Sequence, residues 1–169
     1  SSDLTEETLD HLDGYMGSRP VRVRNAASDQ LQLDIYGGAM NSIYALDSGA
    51  VGEWGVGHDG WNHIVGTMDW LCEHWHDPDE GIWETRGGRR HFVYGQLMSW
   101  VALDRAIRMA ASRSRPADVD RWARERDRIH AQIMTKGWNE KIGAFVQYEG
   151  GDVLDAALVQ MPLVGFIVP

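Results

Sequence analysis

The longest helical pattern of the chain, residues 90–112, constrains the fold most strongly. Its first half is broadly apolar, and charged residues enter mainly in the second half, where Asp104 and Arg108 have the i,i+4 spacing of an ion pair. A helix with an apolar surface on most of its circumference has to be buried by other helices. We therefore expect this segment to lie inside a helical bundle.

Four further segments have helical periodicity. The first and the last of them are expected to be inner helices, and the second and the third are expected to be outer helices. In chain order they cover residues 30–46 with Ser28 or Asp29 as the cap, 61–75, 117–136, and 153–161 with Asp152 as the cap and Pro162 at the end. Short extended segments are predicted at residues 21–24 and 143–148.

The order of these segments alternates between inner and outer helices, and hairpins of that kind stack into a toroid. The predicted fold class is all-α, a partial toroid of alternating inner and outer helices. Five helices are too few to close a ring. The apolar run at residues 163–168 and the initial Ser1 lead us to expect that residues 1–169 are part of a single larger domain, truncated at both ends.

Composition excludes several functions. A net charge of −9 and a pI near 5.1 argue against nucleic acid or an anionic membrane as the partner. No apolar run approaches the roughly 18 residues that span a bilayer. The single cysteine, Cys72, excludes an internal disulfide framework and fits a reducing compartment, so the predicted location is cytoplasmic.

Residues 77–88 form a loop that carries unusual chemistry. Pro78 and three glycines break any helix, and Trp83 stands directly before Glu84. An aromatic face can stack on a sugar ring, and a ring beside a carboxylate desolvates it and favours the protonated form that a general acid needs. Alternatively, Trp83 fills a gap in the core and Glu84 caps the next helix.

Asp34 is a second candidate because it interrupts the apolar belt of the first predicted helix, as Gln32 does just before it. A carboxylate in such a place needs either a structural partner or a ligand. The sequence pattern does not decide between the two.

Five ordered blocks resemble the bacterial branch of glycoside hydrolase family 15, which contains glucoamylases, glucodextranases and some bacterial trehalases. The similarity runs from about residue 10 to the end of the chain. The blocks are QLDIYG at residues 32–37, DEGIWETRG at 79–87, WVALDRA at 100–106, WNE with GAF between 138 and 145, and LDAAL with PLVGF between 154 and 166.

The resemblance implies an (α/α)6 toroid and inverting hydrolysis of α-glucosidic bonds in trehalose or in oligo- and polysaccharides. It implies that Glu84 is the general acid and Trp83 the aromatic residue beside it. Asp34 and Gln32 match positions that face the sugar, and Arg86 is a hydroxyl ligand from the same loop. No cofactor is implied.

The chain departs from the family pattern in two ways. Gly95 and Gln96 stand where the family usually has a serine and a lysine. None of Glu140, Glu149 and Asp152 matches the motif of the general base, so we expect the base outside this chain. An incomplete toroid would also expose the sides of inner helices, and self-association through that surface is expected.

Two other interpretations compete with the hydrolase. Cys72, His74, His76 and Asp77 have the chemistry of metal ligands, but neighbours two residues apart diverge on a helix, and the sequence favours no metal site. The stronger rival is a non-catalytic helical module, derived from the same fold, that binds carbohydrate or protein through its tryptophans.

Overall fold

The computed structural model describes residues 6–24, 30–48, 55–84 and 87–167. The predicted caps Ser28 and Asp29 and the predicted ligand Arg86 lie outside the described residues. The chain divides into two compact units, Ser1–Leu31 and Gln32–Pro169.

The first unit contains a small antiparallel sheet of β1 (Glu7–Thr8) and β2 (Arg22–Val23), with Glu7 opposite Val23. The predicted extended segment at residues 21–24 is therefore confirmed in a shorter form. Its two arginines pair with acidic residues: Arg22 lies 3.2 Å from Glu6 and Arg24 lies 3.5 Å from Glu7.

The second unit is helical, which confirms the predicted fold class. Its helices are α1 (Asp34–Ser48), α2 (His58–His74), α3 (Val93–Ser112), α4 (Val119–Gln132) and α5 (Gln160–Leu163). A π-helical turn (Ile133–Gly137) extends α4, a hairpin pairs β3 (Trp138–Asn139) with β4 (Ala144–Phe145), and a 3-10 turn (Ala156–Val159) precedes α5.

Helix α3 is the centre of this unit. Every residue from 92 to 106 is buried, as the broadly apolar pattern requires. Helices α1 and α4 pack against α3, and α2 packs against α4, where the rings of Trp61 and Trp122 meet edge to face at 6.2 Å. These contacts agree with the predicted alternation of inner helices (α1, α3) and outer helices (α2, α4).

A buried carboxylate joins α3 to α4. Asp104 is 4% exposed and accepts hydrogen bonds from Arg105 at 2.5 Å and from Arg108 at 2.8 Å. Arg126 of α4 lies 3.8 Å from its other oxygen. The predicted pair of Asp104 and Arg108 is confirmed, and the three guanidinium groups compensate the burial of the charge.

Two predicted helix ends are wrong. Helix α1 begins at Asp34 and not near Gln30, because the Leu33 amide donates to the Asp79 carboxylate at 3.1 Å and does not enter a helical turn. The last segment is not one helix over residues 153–161. Asp155, not Asp152, provides the cap, and Pro162 lies within the short helix α5, where a missing amide hydrogen costs little.

Part of the apolar belt of α1 faces outward among the described residues. Ile35 is 62% exposed and Leu46 is 72% exposed, although both fit the inward stripe that the sequence predicts. In the part of the chain that the structure describes, no helix has both the length and the apolar character of a membrane span.

Candidate active site

The loop that carries Trp83 and Glu84 is closed at its base by backbone hydrogen bonds. The amide of Asp79 donates to the carbonyl of Arg90 at 3.0 Å, and the amide of Arg90 donates to the carbonyl of Asp79 at 2.9 Å. Gly81 starts the turn with a φ of +68°, and a Cβ there would lie 2.8 Å from the ring of Phe92. The turn therefore requires glycine for its conformation and for its contact.

Glu84 ends this turn, and its amide donates to the Gly81 carbonyl at 3.1 Å. Its φ of +46° lies in the left-handed region, which a residue with a branched or long side chain adopts at a cost. The Gln32 amide group donates to Oε1 of Glu84 at 3.0 Å. Two predicted site residues 52 positions apart are therefore in direct contact.

Trp83 is 56% exposed, and its indole Nε1 donates to Oδ1 of Asp155 at 2.9 Å. The interpretation that Trp83 fills a core gap is wrong for the described part of the chain. The interpretation of Glu84 as a cap is wrong too, since α3 follows Phe92 without a side-chain cap. Glu84 itself is exposed among the described residues, so the desolvation expected from the neighbouring ring is not seen there.

Asp34 is the first residue of α1 and is half-buried. Burial raises the pKa of its carboxyl group, against the opposing effect of a backbone amide. Its Oδ1 is shielded from solvent and has no hydrogen-bond partner among the described residues. A shielded acceptor without a partner is costly, so structural satisfaction of this oxygen is not seen among the described residues.

Asp79 is a residue of the site that the sequence analysis did not single out. It is 1% exposed, and its Oδ2 accepts from the amide of Leu33. Burial raises its pKa to about 6, with the charges of Asp34 and Glu80 adding to the rise and the amides of Leu33 and Gly81 opposing it. In the sequence, Asp79 is one of several acidic residues in a loop, and ordinary solvent-exposed turns have the same composition. The sequence alone therefore did not mark Asp79 as buried.

The departure from the family pattern at residues 95 and 96 has a structural counterpart. A Cβ on Gly95 would lie 2.7 Å from Oδ2 of Asp79, so the absence of a side chain makes room for that carboxylate. Gln96 is 2% exposed and donates to Glu149 at 2.6 Å. Gln132 and Lys136 also hold Glu149, at 2.6 Å and 3.6 Å.

The alternative metal cluster is not assembled. Nδ1 of His74 contacts Asp77 at 2.8 Å, and the His74 ring stacks on Trp70. Cys72 is buried, and burial raises the pKa of its thiol to about 11, which opposes the thiolate form that binds metals. Among the described residues, no group of three His, Cys, Asp or Glu side chains could hold a metal ion.

A cleft of about 620 Å³ lies between α1 and α2, apart from the loop. Its lining residues are Tyr36, Asn62, His63, Gly66, Thr67 and Trp70. None of the described site residues lines it. The carboxylates of the predicted site and the exposed ring of Trp83 come together at the Glu84 loop and not in this cleft.

The second unit is thus an all-α arrangement of inner and outer helices, with the loop of Trp83 and Glu84 between the outer helix α2 and the inner helix α3. The family model of glycosyl hydrolases family 15 matches residues 1–169, and the chain belongs to this family.

Similar curated proteins are trehalases. The trehalase of Thermoplasma acidophilum is 40% identical over 168 residues, which are 99% of this chain and 28% of that protein. Trehalase 2 of Sulfolobus acidocaldarius is 38% identical over 96% of this chain and 28% of its own length, and the Mycobacterium tuberculosis trehalase is 36% identical over 98% and 24%. The chain thus spans about a quarter of the length of these relatives. No solved structure matched the chain.

Proposed function

We propose that the full-length protein is a glycoside hydrolase that cleaves α-glucosidic bonds, with trehalose as the first substrate to test. The observation that carries the proposal is the 3.0 Å contact between Gln32 and Glu84 in a chain of family 15. Trehalose has priority because the curated relatives described above are trehalases.

In this proposal Glu84 is the general acid. Its carboxyl group donates a proton to the glycosidic oxygen, while a water molecule attacks the anomeric carbon from the opposite face and inverts its configuration. Gln32 occupies Oε1 with an N–H donor, which leaves Oε2 as the oxygen that carries the proton. Asp34, which is half-buried at the start of α1 and matches a family position that faces the sugar, accepts a hydrogen bond from a sugar hydroxyl.

Trp83 provides an exposed ring for stacking on the glucosyl unit, and Arg86 remains a predicted hydroxyl ligand. The second carboxylate, which activates the water, is not assigned to a residue of this chain. In the proposed mechanism it lies about 6.5–9.5 Å from Glu84 and comes from the part of the full-length protein that corresponds to the remaining length of the relatives.

The test is glucose release by the full-length protein from trehalose, maltose and isomaltose. Glu84→Gln keeps the shape and the acceptor oxygen but has no proton to donate, so kcat should fall by about 100- to 10,000-fold with little change in binding. Glu80→Gln is the matched control in the same loop, since Glu80 pairs with Arg89 at 2.8 Å and has no catalytic role in the proposal.

A wild-type protein that releases no glucose from any of the three sugars would overturn the proposal. The non-catalytic module would then be the better account, although family membership and the trehalase relatives do not favour it now.

Two further expectations belong to this proposal. Self-association of the chain is supported by the exposed apolar residues Ile35 and Leu46 of the inner helix α1. A cytoplasmic location stays a prediction that is based on the single cysteine, Cys72.

A further inference from the structure

The ring beside the proposed acid is anchored by a residue 72 positions away. Trp83 donates its indole N–H to Oδ1 of Asp155 at 2.9 Å. Asp155 is 9% exposed whereas Trp83 is 56% exposed. One end of the interaction is therefore fixed inside the protein, while the ring that it holds is open to a ligand.

Asp155 is itself held in place by the segment that it begins. The amide of Ala157 donates to the same Oδ1 at 2.9 Å, and Asp155 thereby caps the 3-10 turn Ala156–Val159. A carboxylate oxygen that accepts two N–H donors has a defined position and gives strong, charge-assisted hydrogen bonds. The anchor is thus a rigid part of the fold and not a flexible surface carboxylate.

Trp122 and Trp75 also donate to carboxylates, and these pairs differ from the pair of Trp83 and Asp155 in the burial of the tryptophan. Trp122 donates to Asp69 at 2.9 Å and Trp75 donates to Glu125 at 3.0 Å, with rings that are 0% and 4% exposed. Those pairs satisfy an N–H donor within the packed interior. The ring of Trp83 is mostly outside the packed interior, so its hydrogen bond fixes the orientation of an exposed ring.

We propose that Asp155 is a positioning residue of the site: it holds the plane of Trp83 so that a ring face stays available to a glucosyl unit beside Glu84. This inference rests on the proposed function. Because the Trp83 ring is already fixed in the free protein, its side chain loses less conformational entropy when the substrate binds. Asp155 thereby joins the segment that precedes α5 to the acid-bearing loop.

The experiment is a double-mutant cycle in the full-length protein with trehalose, or with whichever α-glucoside it hydrolyses. Asp155→Ala should lower kcat/KM by about tenfold, mainly through KM, since a hydrogen bond to a charged group is lost. Asp155→Asn should recover most of the loss, because its amide oxygen can accept from both donors. In a Trp83→Phe background, which has no indole N–H, Asp155→Ala should cost less than about twofold.

A second readout does not depend on catalysis. In protein labelled with fluorotryptophan, the fluorine resonance of Trp83 is identified by its loss in Trp83→Phe. Asp155→Ala should shift and broaden this resonance, and Asp155→Asn should not. Asp69→Ala is the matched control: it breaks the Trp122 pair and is expected to lower the thermal midpoint without changing KM or the Trp83 resonance.

The outcomes separate the two proposals. An equal loss of kcat/KM from Asp155→Ala in the wild-type and Trp83→Phe backgrounds would overturn the positioning role, because Asp155 would then act only as a cap. An unchanged Trp83 resonance in Asp155→Ala would overturn it as well. A wild-type protein that hydrolyses no α-glucoside would overturn the proposed function, and the positioning role with it.

Discussion

At the residue scale, Asp79 connects the two segments that carry the site. Its backbone closes the loop that leads to Glu84, and its carboxylate holds the amide of Leu33, which lies between Gln32 and Asp34. The contact between Gln32 and Glu84 therefore depends on a buried carboxylate as well as on the two residues that make it.

The raised pKa of Asp79 predicts a specific dependence of stability on pH. Its value of about 6 in the folded protein exceeds its ordinary value of 3.8, so the folded state binds this proton more tightly than the unfolded state does. The resulting stabilisation is complete below pH 3.8 and is lost as the pH rises through about 6. Asp79→Asn removes this titration. The free energy of unfolding of the variant minus that of the wild type should therefore increase by up to about 3 kcal/mol from about pH 4 to pH 7.

Denaturant unfolding of both proteins across this range provides the measurement. Asp127→Asn is the comparison at an exposed carboxylate, because the Asp127 side chain is 68% exposed. Parallel profiles for Asp79→Asn and the wild type would show that Asp79 does not titrate in this range.

Single residues also show what the sequence could and could not predict. The chemical types of Trp83 and Glu84 made them candidates beside a structural alternative, and the family resemblance added Gln32 as a residue that faces the sugar. Their partners were not predictable, because Trp83 bonds to Asp155 and Glu84 to Gln32 across 72 and 52 positions of the chain. A pattern of neighbouring residues contains no information about such tertiary hydrogen bonds.

At the scale of elements, the helices were predictable wherever burial alone determines them. The pattern at residues 90–112 predicts α3 closely, since almost every side of that helix is in contact with another element. The errors are at the ends. The start of α1 is set by the bond from Leu33 to Asp79, and the segment after β4 is divided by the cap that Asp155 forms.

Because α3 packs closely against the loop, a glycine-to-alanine substitution in this helix is expected to destabilise the protein. Replacing glycine by alanine inside a helix ordinarily stabilises it by about 0.5–1 kcal/mol. At Gly95 the added Cβ would lie 2.7 Å from Oδ2 of Asp79, which is buried and hydrogen-bonded and has little room to move. Gly95→Ala should therefore destabilise the protein by about 1–3 kcal/mol.

Gly66→Ala in α2 is the matched control, because a Cβ at that position meets nothing within 4 Å among the described residues. This variant should be neutral or slightly more stable than the wild type in the same denaturant titration. If Gly95→Ala were as stable as Gly66→Ala, the result would contradict the close contact between α3 at Gly95 and the Asp79 carboxylate.

At the scale of the whole molecule, the exposed apolar side of α1 predicts association of the 169-residue chain. Ile35 and Leu46 are largely exposed, and apolar surface of this kind on an inner helix favours contact with another apolar surface. In sedimentation velocity, the chain should therefore exceed its monomer mass of 19.0 kDa. The double substitution Ile35→Lys and Leu46→Lys should shift the distribution toward the monomer.

Met134→Lys is the control for this experiment, since Met134 is 42% exposed but lies in the turn that extends the outer helix α4. It should leave the distribution unchanged. A wild-type chain that sediments as a monomer at all concentrations would contradict the association.

The overall account depends on Glu84 acting as a general acid, and a leaving group that needs no proton tests this claim most directly. The measurement compares kcat of the full-length protein and its Glu84→Gln variant on trehalose and on α-glucosyl fluoride, whose fluoride departs without protonation. The account predicts a loss of about 100-fold or more on trehalose and a much smaller loss on the fluoride. Equal losses on both substrates, or no loss on trehalose, would contradict it.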